Sequence, residues 1–181
     1  MRRLFGGLLT VLMAASAPAL GQTCLEDSLA ESTPESRFVV RDDGTVLDAQ
    51  TGLVWTRCSV GQTLEEGRCQ GTAEQMADWG TALSRVADLN SNGHLGHSDW
   101  RLPSIKELNT LVDRQCHDPA INLTVFPDTP SAPYFSGTPD VRYRNGSGPK
   151  ARMVNFFNGT EAVTSGIATR YIRLVRNASG S

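Results

Sequence analysis

The four cysteines are the residues of this chain whose chemistry is easiest to interpret. An even number of cysteines in an oxidising compartment is typical of two disulfides, although four cysteines allow three pairings. We favour Cys58 with Cys69, because the segment between them has the composition of a loop closed at its base, and Cys24 then pairs with Cys116. A zinc site is the alternative, but ten residues separate Cys58 from Cys69, whereas zinc-binding cysteines usually lie about two to four residues apart.

Two histidines and several aspartates suggest metal binding only weakly. His94 and His97 lie close to Asp99, but glycines flank them and the sequence fixes no third ligand. We therefore expect solvated loop histidines and no cofactor. Three further acids suggest calcium without the spacing and central glycine of an EF-hand loop, namely Asp42, Asp43 and Asp48.

No side chain has the sequence context of a catalytic nucleophile. The chain contains no Gly-x-Ser-x-Gly motif, its serines and histidines are scattered, and its cysteines are expected to be oxidised. We therefore expect that the protein is not an enzyme.

The segment from Gly137 to Arg152 is the candidate ligand-binding surface. It carries four basic residues against the single acid Asp140, a local charge of +3 in an acidic protein. Arginine binds sulfate or carboxylate groups through paired hydrogen bonds, and aromatic rings stack on sugars. The basic candidates are Arg142, Arg144, Lys150 and Arg152, and the aromatic candidates are Tyr134, Phe135 and Tyr143. The alternative is that these basic side chains are simply solvated.

The N-terminus has the three-part layout of a secretory signal peptide. Arg2 and Arg3 precede an apolar stretch, and small residues then lead to a cleavage site before Gln22, with a cut after Ala19 as the alternative. The apolar stretch is shorter than the roughly 20 residues of a membrane span. We expect an exported protein of the periplasm, cell surface or medium that is not embedded in the membrane.

The overall charge argues against nucleic-acid binding. Without Arg2 and Arg3 the 17 basic residues become 15 against 19 acidic ones, so the formal charge moves from −2 to −4. A mildly acidic chain has no general attraction to nucleic acid. The remaining length is sufficient for one domain with its own core.

Short apolar runs predict strands at both ends of the domain. The first three runs form a β-meander with turns at Asp42–Gly44 and Thr51–Gly52, and they are Phe38–Val40, Thr45–Leu47 and Leu53–Thr56. Near the C-terminus, Met153–Phe157 and Thr160–Thr164 flank Asn158–Gly159, which predicts a hairpin with a two-residue turn. The last run, Tyr171–Arg176, alternates, with Ile172 and Leu174 on one face.

Two helices are predicted between these strands. Thr72–Gln75 reads as a capping box for the first, with an apolar face of Met76, Trp79, Leu83, Val86 and Ala87. Ser104–Glu107 is a second capping box, and this helix ends near Asp113. Its buried stripe is Ile105, Leu108, Leu111 and Val112. The order predicts an α+β fold of strands, two helices and strands.

Several motifs in order identify a family. They are Asp43–Asp48, Thr51–Trp55, Arg57–Gln62, Ser98–Leu108, Pro119–Asn122, Phe126–Pro127 and Tyr171–Arg176. Together they resemble the DUF1566 family, also named the Lcl C-terminal domain, over residues 37–176. Its signature residues here are Trp55, Asp99, Trp100 and Arg101. We expect a structural role: Trp100 fills core, and Asp99 and Arg101 form an ion pair or cap element ends.

The resemblance implies an exported bacterial protein with a C-type-lectin-like domain at residues 37–176, which disulfides cross-link here. A loosely ordered lead-in at 22–36 follows the signal peptide at 1–21, and a tail covers 177–181. The resemblance also implies an adhesive role with sulfated glycans among the ligands. A calcium cofactor is suggested only by the lectin-like fold. The alternatives are a structural component of an envelope or appendage complex that binds proteins, and an exported enzyme related to the formylglycine-generating fold.

Overall fold

The computed structural model describes residues 21–141, 150–163 and 170–178. Its elements form an α+β fold in which strands precede and follow two helices, as predicted. The strands are β1 (Thr23–Cys24), β2 (Phe38–Val40), β3 (Thr45–Asp48), β4 (Leu53–Thr56), β5 (Thr63–Glu65), β6 (Arg68–Gln70), β7 (Cys116–His117), β8 (Pro133–Pro139), β9 (Ala151–Asn155), β10 (Thr160–Val163) and β11 (Val175–Asn177). The helices are α1 (Trp79–Ser91) and α2 (Ile105–Asn109), with 3-10 turns at Glu35–Arg37 and His94–Gly96.

The predicted β-meander forms one antiparallel sheet in the order β11-β4-β3-β2. Asp43 closes its first turn, because the Oδ1 atom accepts hydrogen bonds from the N–H (2.9 Å) and the hydroxyl (2.6 Å) of Thr45. Gly44 lies in this turn at φ 83°, which glycine adopts without steric penalty. Asp48 closes the second turn by accepting from the Thr51 hydroxyl at 2.7 Å. Short polar side chains therefore set the register of this sheet.

The C-terminal hairpin is correctly predicted, but its two-residue turn is wrong. Strands β10, β9 and β8 form a second sheet in which Thr160 pairs with Asn155, so four residues connect the strands. Phe156 explains the difference. It is fully buried, and its N–H donates to the carbonyl of Ala132 at 3.0 Å. This residue therefore leaves the ladder to fill the core.

Helix α1 begins later than predicted, and the capping box at Thr72 is wrong. Asp78 is the N-cap, with its Oδ1 accepting from the Thr81 N–H at 2.7 Å. The backbone before it pairs elsewhere, because the N–H groups of Glu74 and Met76 donate to carbonyls of distant segments at 2.8 Å. A capping motif acts only where the following backbone is free to coil.

The buried face of α1 is rotated from the predicted one. The structure buries Ala82, Val86 and Leu89, whereas Leu83 is 45% exposed. Of the predicted face, Val86 is buried as predicted, and Met76 is buried but lies before the helix. Within the helix, the buried residues thus share only Val86 with the predicted face.

Helix α2 begins where predicted. The Ser104 hydroxyl accepts from the Glu107 N–H at 3.2 Å, and the Glu107 carboxylate accepts from the Ser104 N–H at 2.7 Å, which completes the capping box. The helix ends at Asn109, before the predicted end near Asp113. All four residues of the predicted stripe are buried.

The last run of the chain is a regular strand only at Val175–Asn177. Ile172 and Leu174 are buried as predicted, but Arg173 between them is also fully buried. Asn177, which was assigned to the tail, is the last residue of β11. The alternating pattern thus predicts to which face these side chains point, but not how deeply they are buried.

Both predicted disulfides are present, Cys24–Cys116 and Cys58–Cys69. The first crosses the pair formed by β1 and β7, where Cys24 lies opposite Cys116. The lead-in, expected to be loosely ordered, is docked on the body. Gln22 donates from Nε2 to two backbone carbonyls at 2.6 and 2.7 Å, and Ser32 hydrogen-bonds Asp113.

The core consists of two clusters of buried hydrophobic side chains. Trp55 belongs to the first cluster with the residues of α2, and Trp100 belongs to the second with those of α1. Within the described residues, no helix has both the length and the apolar character needed to cross a membrane.

Candidate functional site

The signature residue Trp100 has a structural role. Its side chain is 2% exposed, and its indole N–H donates to the carbonyl of His94 at 2.8 Å. Its backbone forms a pair of hydrogen bonds with the Asn90 amide, at 2.9 and 2.8 Å. Trp100 therefore fills core, as predicted, and fixes the end of α1 to the segment that leads into α2.

The charged signature residues form ion pairs, but with other partners rather than with each other. Asp99 accepts from the Nε of Arg176 at 2.7 Å. Arg101 binds Glu107 through two hydrogen bonds, at 2.7 and 2.8 Å. The hydrogen bonds from Arg101 hold the pKa of Glu107 below its usual value despite burial. Because Glu107 also completes the cap of α2, the motif connects this helix to the sheet edge at β11.

Arg173 is a buried cation that sequence reasoning missed. Its guanidinium donates to the carbonyls of Thr56 and Arg57 and, at 2.7 Å, to the hydroxyl of Thr129. Burial lowers its pKa to about 10, so the side chain is charged at neutral pH. Among the described residues no carboxylate pairs with it. The arrangement is a structural support for the core, because no part of this side chain reaches solvent.

The predicted role of Tyr134 and Phe135 in stacking on a ligand is wrong. Both side chains are fully buried, and the Tyr134 hydroxyl lies 2.5 Å from the Ser59 hydroxyl. The first four residues of β8 are all buried, so both faces of this part of the strand are covered. A strand covered on both faces cannot present an aromatic ring to a sugar.

The basic segment is anchored at its two ends. The Asp140 N–H donates to the Lys150 carbonyl at 2.7 Å, which closes the base of the segment between β8 and β9. Lys150 is partly exposed and Val141 is 64% exposed. Three of the predicted binding residues lie outside the described residues, namely Arg142, Tyr143 and Arg144.

Arg152 is the basic candidate whose surroundings are clearest. It forms an ion pair with Glu161 on the neighbouring strand β10, and its side chain is 40% exposed. Glu161 also accepts from the Asn109 amide at 3.1 Å. The charge of Arg152 is therefore partly neutralised.

A groove on another part of the surface was not predicted from the sequence. It has a volume of about 390 Å³ and lies beside the Cys58–Cys69 disulfide and the His94–Gly96 turn. The residues that line it come from three separate stretches of sequence and include Asp42, Asp43, Ser59, Gln62, His94 and Leu95. Sequence reasoning had treated the acids only as a weak calcium motif and the histidine only as a solvated loop residue.

Two of the residues that line this groove, Asp42 and Asp43, are acidic. No lysine or arginine of the described residues lines it. Burial, assisted by the charge of Arg85, lowers the pKa of His94, so its imidazole is neutral at pH 7. Burial raises the pKa of Asp43, but hydrogen bonds from Thr45 and the charges of Arg41 and His97 outweigh it and hold this pKa below its usual value. The carboxylate is therefore ionised.

The described residues contain no group of three or more His, Cys, Asp or Glu side chains that could hold a metal ion. His94 and His97 instead pack edge-on against Trp100, with ring centroids 6.3 and 5.8 Å away. Asp48 is fully buried and paired with Arg37 through two hydrogen bonds, so it does not join the neighbouring aspartates at one site.

Comparison with known proteins gives one match. The model of a protein family, described as the Lcl C-terminal domain, matches residues 44–176. No curated protein and no solved structure matches the chain. The matched range contains the signature residues and both helices. It also contains the two larger sheets, except for β2 and Asn177, and the groove, except for Asp42 and Asp43.

Proposed function

This chain belongs to the Lcl C-terminal domain family, and on that premise we propose that it is an exported ligand-binding module. Its target is an extracellular or envelope glycan that carries sulfate groups, and its binding surface is the segment from Gly137 to Arg152. The domain acts as a C-type-lectin-like scaffold on which a loop carries the recognition. Binding and catalytic residues are often placed on loops that a rigid body holds.

The observation that carries this proposal is the closed base of the basic segment. The hydrogen bond between Asp140 and Lys150 fixes the ends of a stretch that contains three cationic side chains and no acid between them. Sulfate groups are bound well by arginine, whose planar guanidinium offers paired donors. The local excess of positive charge attracts anionic targets, although the chain as a whole is negatively charged.

The residues also support a role without catalysis. All four cysteines are in disulfides, so none offers a thiolate. The hydroxyl of Ser59, which lines the groove, is hydrogen-bonded to the Tyr134 hydroxyl and not to a histidine or carboxylate base. We propose that the protein recognises a ligand and leaves it unchanged, and that two disulfides adapt it to an oxidising compartment outside the cytoplasm.

The test is retention of the mature chain on a heparin-type column. We expect the variant Arg142→Ser/Arg144→Ser/Lys150→Ser to elute at much lower salt than the wild type, because it lacks three cationic side chains that bind sulfate groups in this proposal. Adding Arg152→Ser changes the elution little, since Glu161 already neutralises part of its charge.

The matched control removes three exposed basic residues elsewhere, through Arg68→Ser, Lys106→Ser and Arg114→Ser. This variant has the same net charge as the first, so it separates a local site from a general charge effect. Equal elution of the two variants contradicts the placement of the site, and a wild-type chain that is not retained contradicts sulfated-glycan binding.

A protein partner in an envelope or appendage complex is the second candidate, and one observation favours it. Strand β2 is at the edge of its sheet, and its residues Val39 and Val40 are 53% and 49% exposed. Exposed apolar edge strands pair readily with other chains. A pull-down from envelope extract with wild type and Val39→Lys tests this candidate, because loss of a specific partner in the variant assigns the edge to that contact.

A further inference from the structure

The bridge between Cys24 and Cys116 differs from the other disulfide in its exposure. Cys24 and Cys116 are both partly exposed, and both line a cavity of about 210 Å³ between the lead-in and the body of the domain. Cys58 and Cys69 are only 8% and 6% exposed, although Cys58 also lines the groove. We propose that Cys24–Cys116 is a redox-sensitive tether, which a dithiol reductant opens to release the lead-in while the body stays folded. This proposal does not depend on glycan binding.

The lead-in has no hydrophobic anchor of its own. Of residues 22–36, only Thr33 is buried, and none of them belongs to either core cluster. The side chains of Leu25 and Leu29 are 50% and 45% exposed. Burial of apolar surface is the main force that holds a segment to a folded body. Because the lead-in lacks such burial, the disulfide is its principal attachment.

The noncovalent contacts of the lead-in are hydrogen bonds, most of which are only partly buried. The Leu25 N–H donates to the Gln115 carbonyl at 2.8 Å, and the Arg114 N–H donates to the Ser32 hydroxyl at 2.8 Å. Such bonds contribute little net free energy, because water replaces the lost partner when they open. They therefore order the lead-in while the bridge is closed but hold it weakly once the bridge is open.

The extent of the family match supports a body that folds without the lead-in. The Lcl C-terminal domain model matches residues 44–176, so it contains Cys116 but not Cys24. Both helices lie within this range, as do all but β2 and Asn177 of the two larger sheets. The lead-in is thus an addition to the domain, and it supplies one of the two cysteines of its own tether.

Opening the tether is a thiol–disulfide exchange. A thiolate of the dithiol attacks one sulfur of the bridge, and the S–S electron pair passes to the other sulfur, which leaves as a thiolate and takes up a proton. The second thiol of the reductant, as its thiolate, then displaces the cysteine from the mixed disulfide, and this cysteine also takes up a proton. The products are two cysteine thiols and the disulfide form of the reductant. A dithiol oxidoreductase is the class of partner that supplies these electrons.

Release of the lead-in exposes polar groups that it covers. Asp113 is 2% exposed and accepts from the Ser32 hydroxyl at 3.2 Å. Asn122 is 7% exposed and donates to Glu31 at 3.1 Å and to the Thr33 carbonyl at 2.9 Å. Both side chains lose these partners when the lead-in leaves. The tether therefore controls access to this face of the body.

The first test is stepwise reduction of the mature chain in mixtures of reduced and oxidised dithiothreitol. Alkylation of the free thiols, followed by mass spectrometry of the peptides, measures the opening of each bridge separately. We expect Cys24 and Cys116 to be alkylated at least about tenfold faster than Cys58 and Cys69, because their bridge is accessible in the folded chain.

Hydrogen exchange in the selectively reduced chain measures what reduction releases. The amides of Leu25 and Arg114 report on the lead-in, because each donates across its contact with the body. The amide of Val175, which donates to the Arg101 carbonyl at 3.0 Å, reports on the body. We expect exchange at Leu25 and Arg114 to accelerate at least about tenfold and exchange at Val175 to change by less than about twofold.

The variant Cys24→Ser/Cys116→Ser gives the open form without a reductant, and Cys58→Ser/Cys69→Ser is the matched control. Exchange at Leu25 should be fast in the first variant and slow in the second. Three outcomes overturn the proposal. They are equal reduction rates for the two bridges, unchanged exchange at Leu25 and Arg114 after selective reduction, and loss of protection at Val175 together with Leu25.

Discussion

The guanidinium carbon of Arg173 lies 4.9 Å from the centre of the Phe126 ring, and both side chains are fully buried. The ring face and the backbone carbonyls of Thr56 and Arg57 take the place of water around this cation. A buried charge normally requires an opposite charge. Here hydrogen bonds to fixed dipoles stabilise it, and they connect the C-terminal segment to β4.

We expect Arg173→Met to lower the free energy of unfolding by about 2–4 kcal/mol, because the carbonyl oxygens lose their donors inside the core. Arg173→Lys should also be destabilising, since a single ammonium cannot reproduce the planar fork. Urea unfolding measures both. Arg68→Met is the control, because this side chain is 68% exposed and should change stability by less than about 0.5 kcal/mol. If Arg173→Met is as stable as the wild type, the role assigned to the cation is wrong.

Tyr134 should ionise only at very high pH. Burial raises its pKa to about 12, although the nearby positive charge of Arg173 acts in the opposite direction. Since an unfolded tyrosine ionises near pH 10, the stabilisation from the neutral phenol is fully present below pH 10 and is lost as the pH rises through 12. Ultraviolet titration of the phenolate should show a step near pH 12 that disappears in Tyr134→Phe. A variant that keeps this step refutes the assignment.

Asp48 should contribute to acid unfolding. Burial raises its pKa, but hydrogen bonds from Arg37 and Thr51 outweigh burial and hold the pKa below its ordinary value. Its stabilising contribution is therefore present above the unfolded-state pKa and is lost as the pH falls through the lower, folded-state pKa. We expect Asp48→Asn to lose about 3 kcal/mol at pH 7 and to flatten the stability profile below pH 4.

The control for Asp48 is Asp128→Asn, the same substitution in the more exposed pair with Arg68. An exposed ion pair contributes only about 0–1 kcal/mol. Similar pH profiles for the two variants, measured by urea unfolding from pH 7 to pH 2, contradict the special contribution of the buried pair.

Two glycines of the disulfide hairpin region form a matched pair. Gly61 and Gly67 both have positive φ, 93° and 79°, so alanine is strained at either position. At Gly61 an added Cβ would also lie 2.6 Å from the backbone nitrogen of Glu74, whereas nothing lies within 4 Å at Gly67. We expect Gly67→Ala to cost about 1–2 kcal/mol and Gly61→Ala distinctly more. Equal melting temperatures for the two variants are inconsistent with this close approach.

Local signals account for the parts of the fold that were predicted correctly. The turns at Asp43–Gly44 and Thr51–Gly52 and the capping box at Ser104 are each satisfied by atoms a few residues away. The disulfides followed from the number and position of the cysteines. The capping box at Thr72 failed because its backbone donors bind distant carbonyls, which a local pattern does not record.

The errors at the candidate site have the same physical origin. Arginine is almost never fully buried, so an alternating pattern places Arg173 at the surface. In the folded chain, distant backbone carbonyls and an aromatic ring surround its guanidinium in place of water. Tyr134 was assigned to a binding surface because nothing in its neighbourhood indicates that both faces of β8 are covered. The groove combines residues from three stretches between Asp42 and Leu95, so only the folded chain reveals it.

The bridge between Cys24 and Cys116 closes a covalent ring of the chain that includes both helices, and the smaller bridge lies within it. The exposed hairpin tip at Glu66 and Gly67 belongs to both rings. A protease that cuts there leaves two fragments joined at two points. The nicked molecule gains only one water, and its fragments separate only when a reductant opens both bridges. This exposed turn can therefore be severed without releasing any piece of the domain.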